Sequence, residues 1–462
     1  MEANQEGLTP DYRSLSFWHE TCGESLDPRP PLSVETAVDV AILGAGFTGL
    51  WTAIYLKQAQ PELRVAIIER HIAGFGASGR NGGWCSALFP WGPEQLARSY
   101  GHDAAKAMRQ AMIETISEIE RAISQLEIEC DFRRQGTYTF ARGRAQLERA
   151  RAEIATAARF GVDQIAEIGG NIGPQASGSM LTVWDANCAS LHPARLVRGL
   201  ARAAEKLGVV IHEQTEVLSY QPGKVITSRG DLSSTFIIDA LEGYRSTLRQ
   251  SRRNSIPIYS LMIATAPIAE STLDEIGLPA GATFADYRHL LIYGQRTADN
   301  RIAFGGRGAP YHFGSRVRSA YDRVPRIFDH LERELKTLFP RLEGTPITHR
   351  WGGALGIPRD WHAGVSLNLD TGLGRAGGYV GDGVATSNLA GRTMRDLILS
   401  RDTELANLPW VNHNSPKWEP EPLRYIGARG GVFAAGMADR LEAKTGRSSF
   451  ISRILGNLTG KI

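Results

Sequence analysis

The sequence is short of cysteine, of net charge and of long apolar runs, and each shortage closes off a class of protein. Four cysteines in 462 residues (Cys22, Cys85, Cys130, Cys188) stand far apart without a C-x-x-C. That is too sparse for a disulfide scaffold and predicts a reducing, cytoplasmic setting. Fifty-two Lys and Arg against 49 Asp and Glu leave +3, without the concentrated basic face that a nucleic acid demands. No H-x-x-x-H and no paired cysteines offer a metal site. A G-x-S-x-G elbow, a Walker loop and the kinase signatures are likewise missing. The opening MEANQEGLTPDYRS is polar and acidic, unlike a signal or transit peptide. Val40 to Leu56 (VAILGAGFTGLWTAIYL) is uncharged and approaches membrane length, but three glycines close its β-branched run. It reads as a buried strand–turn–helix, so no transmembrane segment is expected.

What is present is an ordinary globular composition, 42% hydrophobic and 22% charged. The length favours two domains. Strands are expected at Val38–Leu43 and Val65–Glu69 around a helix at Phe47–Gln58, a βαβ unit. Helical spacing runs from Pro93 to about Gln125, and further helices are expected at Arg144–Phe160, Pro193–Leu207, 321–338 and Val384–Ser400. Strand patterns occupy Gly136–Ala141, Val209–Ile211, Glu216–Ser219, Thr235–Asp239, much of Ser255–Gly306, and a short Thr348–Trp351. Residues 1–35 read as a leader with Phe17 and Trp18 as anchors, and 401–462 as an appended tail.

Gly44, Gly46 and Gly49 form G-x-G-x-x-G directly between strand and helix. The first permits a tight turn, the second close approach of a pyrophosphate, the third close packing of helix on strand. The helix N-terminus, opened by Phe47 and Thr48, faces the anion with free N–H groups. Glu69 ends the second strand 20 residues past Gly49, where a carboxylate accepts from ribose hydroxyls and repels a 2′-phosphate. This signature suits NAD or FAD alike.

A second cluster follows, Gly74-Phe75-Gly76-Ala77-Ser78-Gly79-Arg80-Asn81-Gly82-Gly83-Trp84, and a third closes the region, Gly377-Gly378-Tyr379-Val380-Gly381-Asp382-Gly383-Val384-Ala385. Three such clusters in this order resemble the D-amino acid oxidase-like family of FAD-dependent amine oxidoreductases, within it the γ-glutamylputrescine oxidase and aminophosphonate oxidoreductase branch. The likeness covers roughly 36–400. It implies FAD, bound by Glu69 and Arg70 after the first cluster, by Gly76 to Ser78 and Arg80 to Trp84 in the second, and by Gly378 and Gly381 to Ala385 in the third. It places Val217 against the adenine, Ala240 and Leu241 beside the cofactor, and Trp351 and Gly352 near the flavin. Family members often carry His at Asp382, so this carboxylate is expected to cap the helix or point away. The cysteine and histidine positions used for covalent flavin attachment are not matched, and non-covalent FAD is expected.

The implied chemistry is oxidation of a C–N bond to an imine by hydride transfer to flavin N5, then hydrolysis to an aldehyde or oxo product, with oxygen or another electron acceptor. An NAD enzyme acting on a hydroxyl, a flavoprotein dehydrogenase and a non-catalytic FAD-binding interaction protein are the rival readings. Catalytic candidates are His362 as a base near working pH, Arg307 as a carboxylate or phosphonate clamp, and Tyr293. Tyr287, Arg350 and Arg359 stand in segments expected to line the site. The substrate is expected to be a small amine with an anionic end; a polyamine would call on Asp286, Asp360 or Asp382 instead. Phe450, Ile451, Ile454 and Leu455 beside Arg453 and Lys461 suggest a peripheral or partner contact through the tail.

The expected fold is therefore α/β (α+β overall). A Rossmann-like FAD domain would come from 36–90, 185–250 and 345–400, and a mixed-sheet substrate domain from 91–184 and 251–344.

Overall fold

The computed structural model describes residues 11–169, 173–306 and 311–451. Its first sheet grows from the apolar strand Thr36–Leu43, whose inner residues Val40 to Leu43 are fully buried. That strand lies between Val65–Ile68 and Asp231–Asp239, both parallel to it. Val210–His212 extends the parallel array on one side and Leu373–Gly377 on the other, with Gly364–Asn368 antiparallel at the edge. The helix Phe47–Ala59 is buried from Phe47 through Lys57. It is apolar on all sides because the helices Pro193–Lys206 and Gly383–Ile398 both pack on it. A large apolar side chain fully buried in such a core contributes about 1.5–3 kcal/mol.

The second sheet is mixed and has eight strands. It runs from Ile347–Ile357 through Ile256–Thr265, Ile302–Gly306, Ile292–Arg296, Thr283–Asp286, Thr137–Ala141 and Leu181–Asp185 to Ile165–Ile168. Thr283–Asp286 and Thr137–Ala141 pair parallel; the other pairs are antiparallel. The helices Glu270–Ile276 and Pro325–Leu338 contribute Leu273, Leu331 and Leu335 to the core beneath it.

Three segments differ from the sequence reading. The helix foreseen over Pro93–Gln125 breaks into Pro93–Tyr100 and His102–Gln125, because Gly101 adopts φ +92°. The strand foreseen as Thr348–Trp351 extends over Ile347–Ile357 and pairs with Ile256–Thr265 in the second sheet, although the segment 345–400 was expected wholly in the first. In the leader, Phe17 and Trp18 are buried against Ile72, Met262 and Trp351, in the anchoring role expected of them. The tail is not simply appended, since Trp410 is fully buried in the main core and the Trp418 indole donates to Ile357 O at 2.8 Å. No helix among the described residues is long and apolar enough to cross a membrane.

Candidate cofactor and substrate site

The three glycine clusters, far apart in sequence, meet at one cleft that is open to solvent. The first cluster forms its floor. Gly44 takes φ +104°, and a Cβ there would lie 3.0 Å from Ala240 O. A Cβ on Gly46 would stand 2.9 Å from Ser78 Oγ, while Phe47 N–H donates to the same Oγ at 2.9 Å. Gly49 does not line the cleft; a Cβ there would strike Gly44 O at 2.1 Å, so its role is packing of helix on turn. The lining thus includes Gly44, Gly46, Phe47 and Thr48 at a helix N-terminus suited to an anion.

Glu69 lines the cleft beside them. Its carboxylate accepts from Ala45 N at 3.0 Å and His71 N at 2.9 Å. Burial pushes its pKa up to about 7, against the pull of those two amides. A carboxylate positioned this way retains lone pairs for ribose hydroxyls. Arg70 sits at the rim, 3.2 Å from Glu216 in an ion pair, with Val217 next along the wall. Ala240 and Leu241 complete this end.

The second cluster divides. Gly76, Ala77, Ser78 and Asn81 line the cleft, whereas Arg80, Gly82, Gly83 and Trp84 do not. Arg80 is directed away from the ligand space: its guanidinium is buried and donates to Asp322 Oδ2 at 2.9 Å, Gly352 O at 3.1 Å and Tyr244 Oη at 2.7 Å. It is a buried tie between the cluster and the second sheet. Trp351 and Gly352 belong to the same tie, with the Trp351 indole donating to Arg80 O at 2.9 Å. Gly82 and Gly83 fit under the second sheet; a Cβ on Gly82 would meet the Tyr293 ring at 2.6 Å, and one on Gly83 would meet Gln295 Nε2 at 2.0 Å. Trp84 packs edge-on against Tyr293, its indole donating to Gly294 O at 3.2 Å.

From the third cluster, Tyr379, Gly381, Gly383 and Val384 line the cleft; Gly378, Asp382 and Ala385 do not. Asp382 occupies the N-cap position of the helix Gly383–Ile398, but its carboxylate makes no capping hydrogen bond. Tyr379 Oη and Thr48 Oγ1 share a hydrogen bond of 2.9 Å, joining third cluster to first.

The catalytic candidates fare differently. Tyr293 stands over Gly82, its hydroxyl 2.7 Å from Ser260 Oγ. Arg307 lies outside the described residues. His362 is not at the cleft: it is buried among Phe89, Trp91 and His413, and burial lowers its pKa to about 3. A ring that stays neutral until pH 3 is a poor base at neutral pH, so the role expected for it is not supported. Arg350 pairs with Glu332 and Arg359 with Glu419. Tyr287 bonds Glu153, Asp286 pairs with Arg288, and Asp360 with His413.

Sequence reasoning missed Glu242, Tyr244, His71 and Phe75, all of which line the cleft. Glu242 holds φ +44° and accepts from Gly378 N at 2.8 Å. The His71 and Phe75 rings stack at 3.8 Å. Glu242 directly follows Ala240 and Leu241, two residues expected beside the cofactor, and that adjacency is its signal in the sequence.

A groove with glycine backbone at its floor, a helix N-terminus and a ribose-directed carboxylate fits a dinucleotide of FAD's size and charge. The chain matches the family profile described as "FAD dependent oxidoreductase" over residues 39–397. It is 30% identical over 431 residues to gamma-glutamylputrescine oxidoreductase of Escherichia coli, covering 89% of this chain and 96% of that one. It is 30% identical over 397 residues to the probable oxidoreductase OrdL of Haemophilus influenzae, covering 82% and 86%. Glycine oxidase from Geobacillus kaustophilus shares the fold with a TM-score of 0.68 at 18% identity, covering 82% of this chain and all of that one. The chain belongs to the FAD-dependent oxidoreductase family, and it is an enzyme that uses FAD.

Proposed function

We propose that the enzyme oxidises the C–N bond of a small amine or amino acid-like substrate to an imine, which water then hydrolyses to an aldehyde or oxo compound. The observation that carries this reading is Tyr293. It projects from the second sheet onto Gly82, the residue after the cleft-lining Asn81, so a side chain of the second sheet stands beside the cofactor cradle. The relatives named for γ-glutamylputrescine and the structural neighbour named for glycine act on amines or amino acids by name. FAD supplies the two-electron acceptor when bound.

The protein's share is positioning. Trp84 and the Ser260-bonded Tyr293 make an edge-on aromatic pair next to the cleft-lining Asn81, and an uncharged amine is placed on the cleft side of that pair with its C–H toward the cofactor. With His362 buried elsewhere, substrate loses its ammonium proton to solvent before binding, and the rate rises with pH toward the amine's own pKa. Arg307, following Gly306 in the chain, remains the proposed clamp for a substrate anion, since Arg350 and Arg359 have acidic partners.

An anaerobic screen tests the proposal: acidic amines, polyamines, N-methyl amino acids and 2-hydroxy acids are mixed with holoenzyme and bleaching near 450 nm is followed. An amine should bleach the flavin within turnover time. Bleaching by hydroxy acids alone would overturn the amine reading. Bleaching by polyamines but not by acidic amines would remove the Arg307 clamp.

A further inference from the structure

The helix Leu423–Thr445 presents an outward stripe that the cofactor chemistry does not use. Leu423, Ile426, Phe433, Met437 and Leu441 recur on one face, separated by three, seven, four and four residues. Leu423, Ile426 and Phe433 are 61%, 63% and 68% exposed, and Phe450 just beyond the helix is 70% exposed. Phe313, itself exposed, packs against Tyr425 and widens the patch at its start. Side chains of this size are normally buried, and so many on one short segment mark a contact surface.

The charges on the helix are sorted by side. Its only acids, Asp439 and Glu442, face the body of the protein. Asp439 accepts from His289 N at 2.8 Å and Leu290 N at 3.0 Å, and Glu442 pairs with Arg149 at 2.8 Å. Arg429, Arg440 and Lys444 have no ion-pair partner among the described residues, and Arg447 follows the helix end in the same state. The face turned to solvent is thus apolar and basic, with no acid.

We propose that this face lies on an anionic lipid bilayer, with Ile426, Phe433 and Leu441 entering the interface and Arg429, Arg440, Lys444 and Arg447 meeting lipid phosphates. An apolar stripe bordered by cations of one sign suits the boundary between acyl chains and acidic headgroups. A second copy of the chain suits it less, because two such faces would set basic rows against each other with no acid to pair them. The contact is peripheral, as the helix does not span.

Holoenzyme is floated with vesicles of phosphatidylcholine and phosphatidylglycerol at 3:1, and with phosphatidylcholine alone, at low and high salt. Binding to the anionic vesicles and its loss in high salt are expected. R440Q/K444Q should weaken binding about 30-fold, at about fivefold per basic charge lost. Phe433→Glu should weaken it while the flavin spectrum and FAD content stay as in the parent protein, which shows the fold is kept. Equal recovery with neutral and anionic vesicles, or none with either, would overturn the proposal. A Phe433→Glu protein that changes from dimer to monomer in sedimentation, with vesicle binding unaltered, would assign the face to a second copy instead.

Discussion

Glu242 and Gly378, 136 residues apart, are joined by a hydrogen bond of 2.8 Å from the Gly378 N–H to the Glu242 carboxylate, which sets the third glycine turn against the end of the central strand. The carboxylate is deeply enclosed: a Cβ on Gly377 would approach Glu242 Oε2 to 2.6 Å.

Removing that acceptor should loosen the turn. A buried N–H left without its charged partner costs about 1.5–3 kcal/mol. Glu242→Ala should therefore raise the dissociation constant for FAD by about 10- to 100-fold. Glu242→Gln, which keeps an acceptor oxygen, should lose far less. Titration of apoprotein with FAD, read by flavin fluorescence, measures both; equal affinity in all three proteins would show that the turn is held by other contacts.

FAD binding should tighten as pH rises. Burial holds the Glu69 carboxyl near pKa 7 in the ligand-free cleft. Ribose hydroxyls bind the ionised form better, so FAD uptake releases a proton and is favoured through and above pH 7. The same raised pKa means that the folded apoprotein holds a proton the unfolded chain has lost above 4.5. The contribution of Glu69 to stability therefore declines as pH rises from about 4.5 to 7, opposite in sign to that of the buried histidines. Glu69→Gln should flatten both dependences and weaken FAD binding at pH 8. A wild-type affinity that is flat from pH 6 to 8 would contradict this.

Mild acid should destabilise the enzyme through its histidines. Burial lowers His19, His192 and His362 to about 3 and His71 to about 4. The unfolded chain takes up protons from about pH 6.5 that the folded one refuses, so stability is full above 6.5 and falls below it. Each group adds at most about 1.4 kcal/mol per pH unit. Urea midpoints at pH 7.5, 6.5 and 5.5 should fall in that order, and more gently in His362→Leu. The pH profile of that variant's activity should match the parent's.

The flavin should leave with acid. The four cysteines are buried, and burial raises the thiols of Cys85, Cys130 and Cys188 well above their usual range. Trichloroacetic acid precipitation of the yellow holoenzyme should release FAD into the supernatant. A pellet that stays yellow after washing would show a covalent bond.

How much of this was legible beforehand depended on how local each arrangement is. The first cluster and Glu69 were readable because strand, turn, helix and acid are consecutive and each residue's role is set by its neighbours in the chain. Arg80 was assigned to the ligand because a donor in a glycine loop usually points at one. Its partners Asp322 and Tyr244 enter from segments more than 160 residues on. His362 looked like a base in a loop; Phe89 and Trp91, far upstream, bury it. Tyr379 lay inside a recognised cluster, yet its bond to Thr48 needs the closed sheet.

That last bond has a consequence for assembly. Thr48 and Tyr379 are 331 residues apart, and the helix Phe47–Ala59 is covered on one side only when Gly383–Ile398 arrives. During synthesis the opening βαβ unit must therefore wait, with an apolar helix uncovered, until most of the polypeptide has left the ribosome. FAD cannot template the early steps, because half of its cradle has not yet been made. Cofactor loading is a late event in this molecule's biogenesis, and the nascent chain passes through a long interval in which chaperones have an apolar surface to hold.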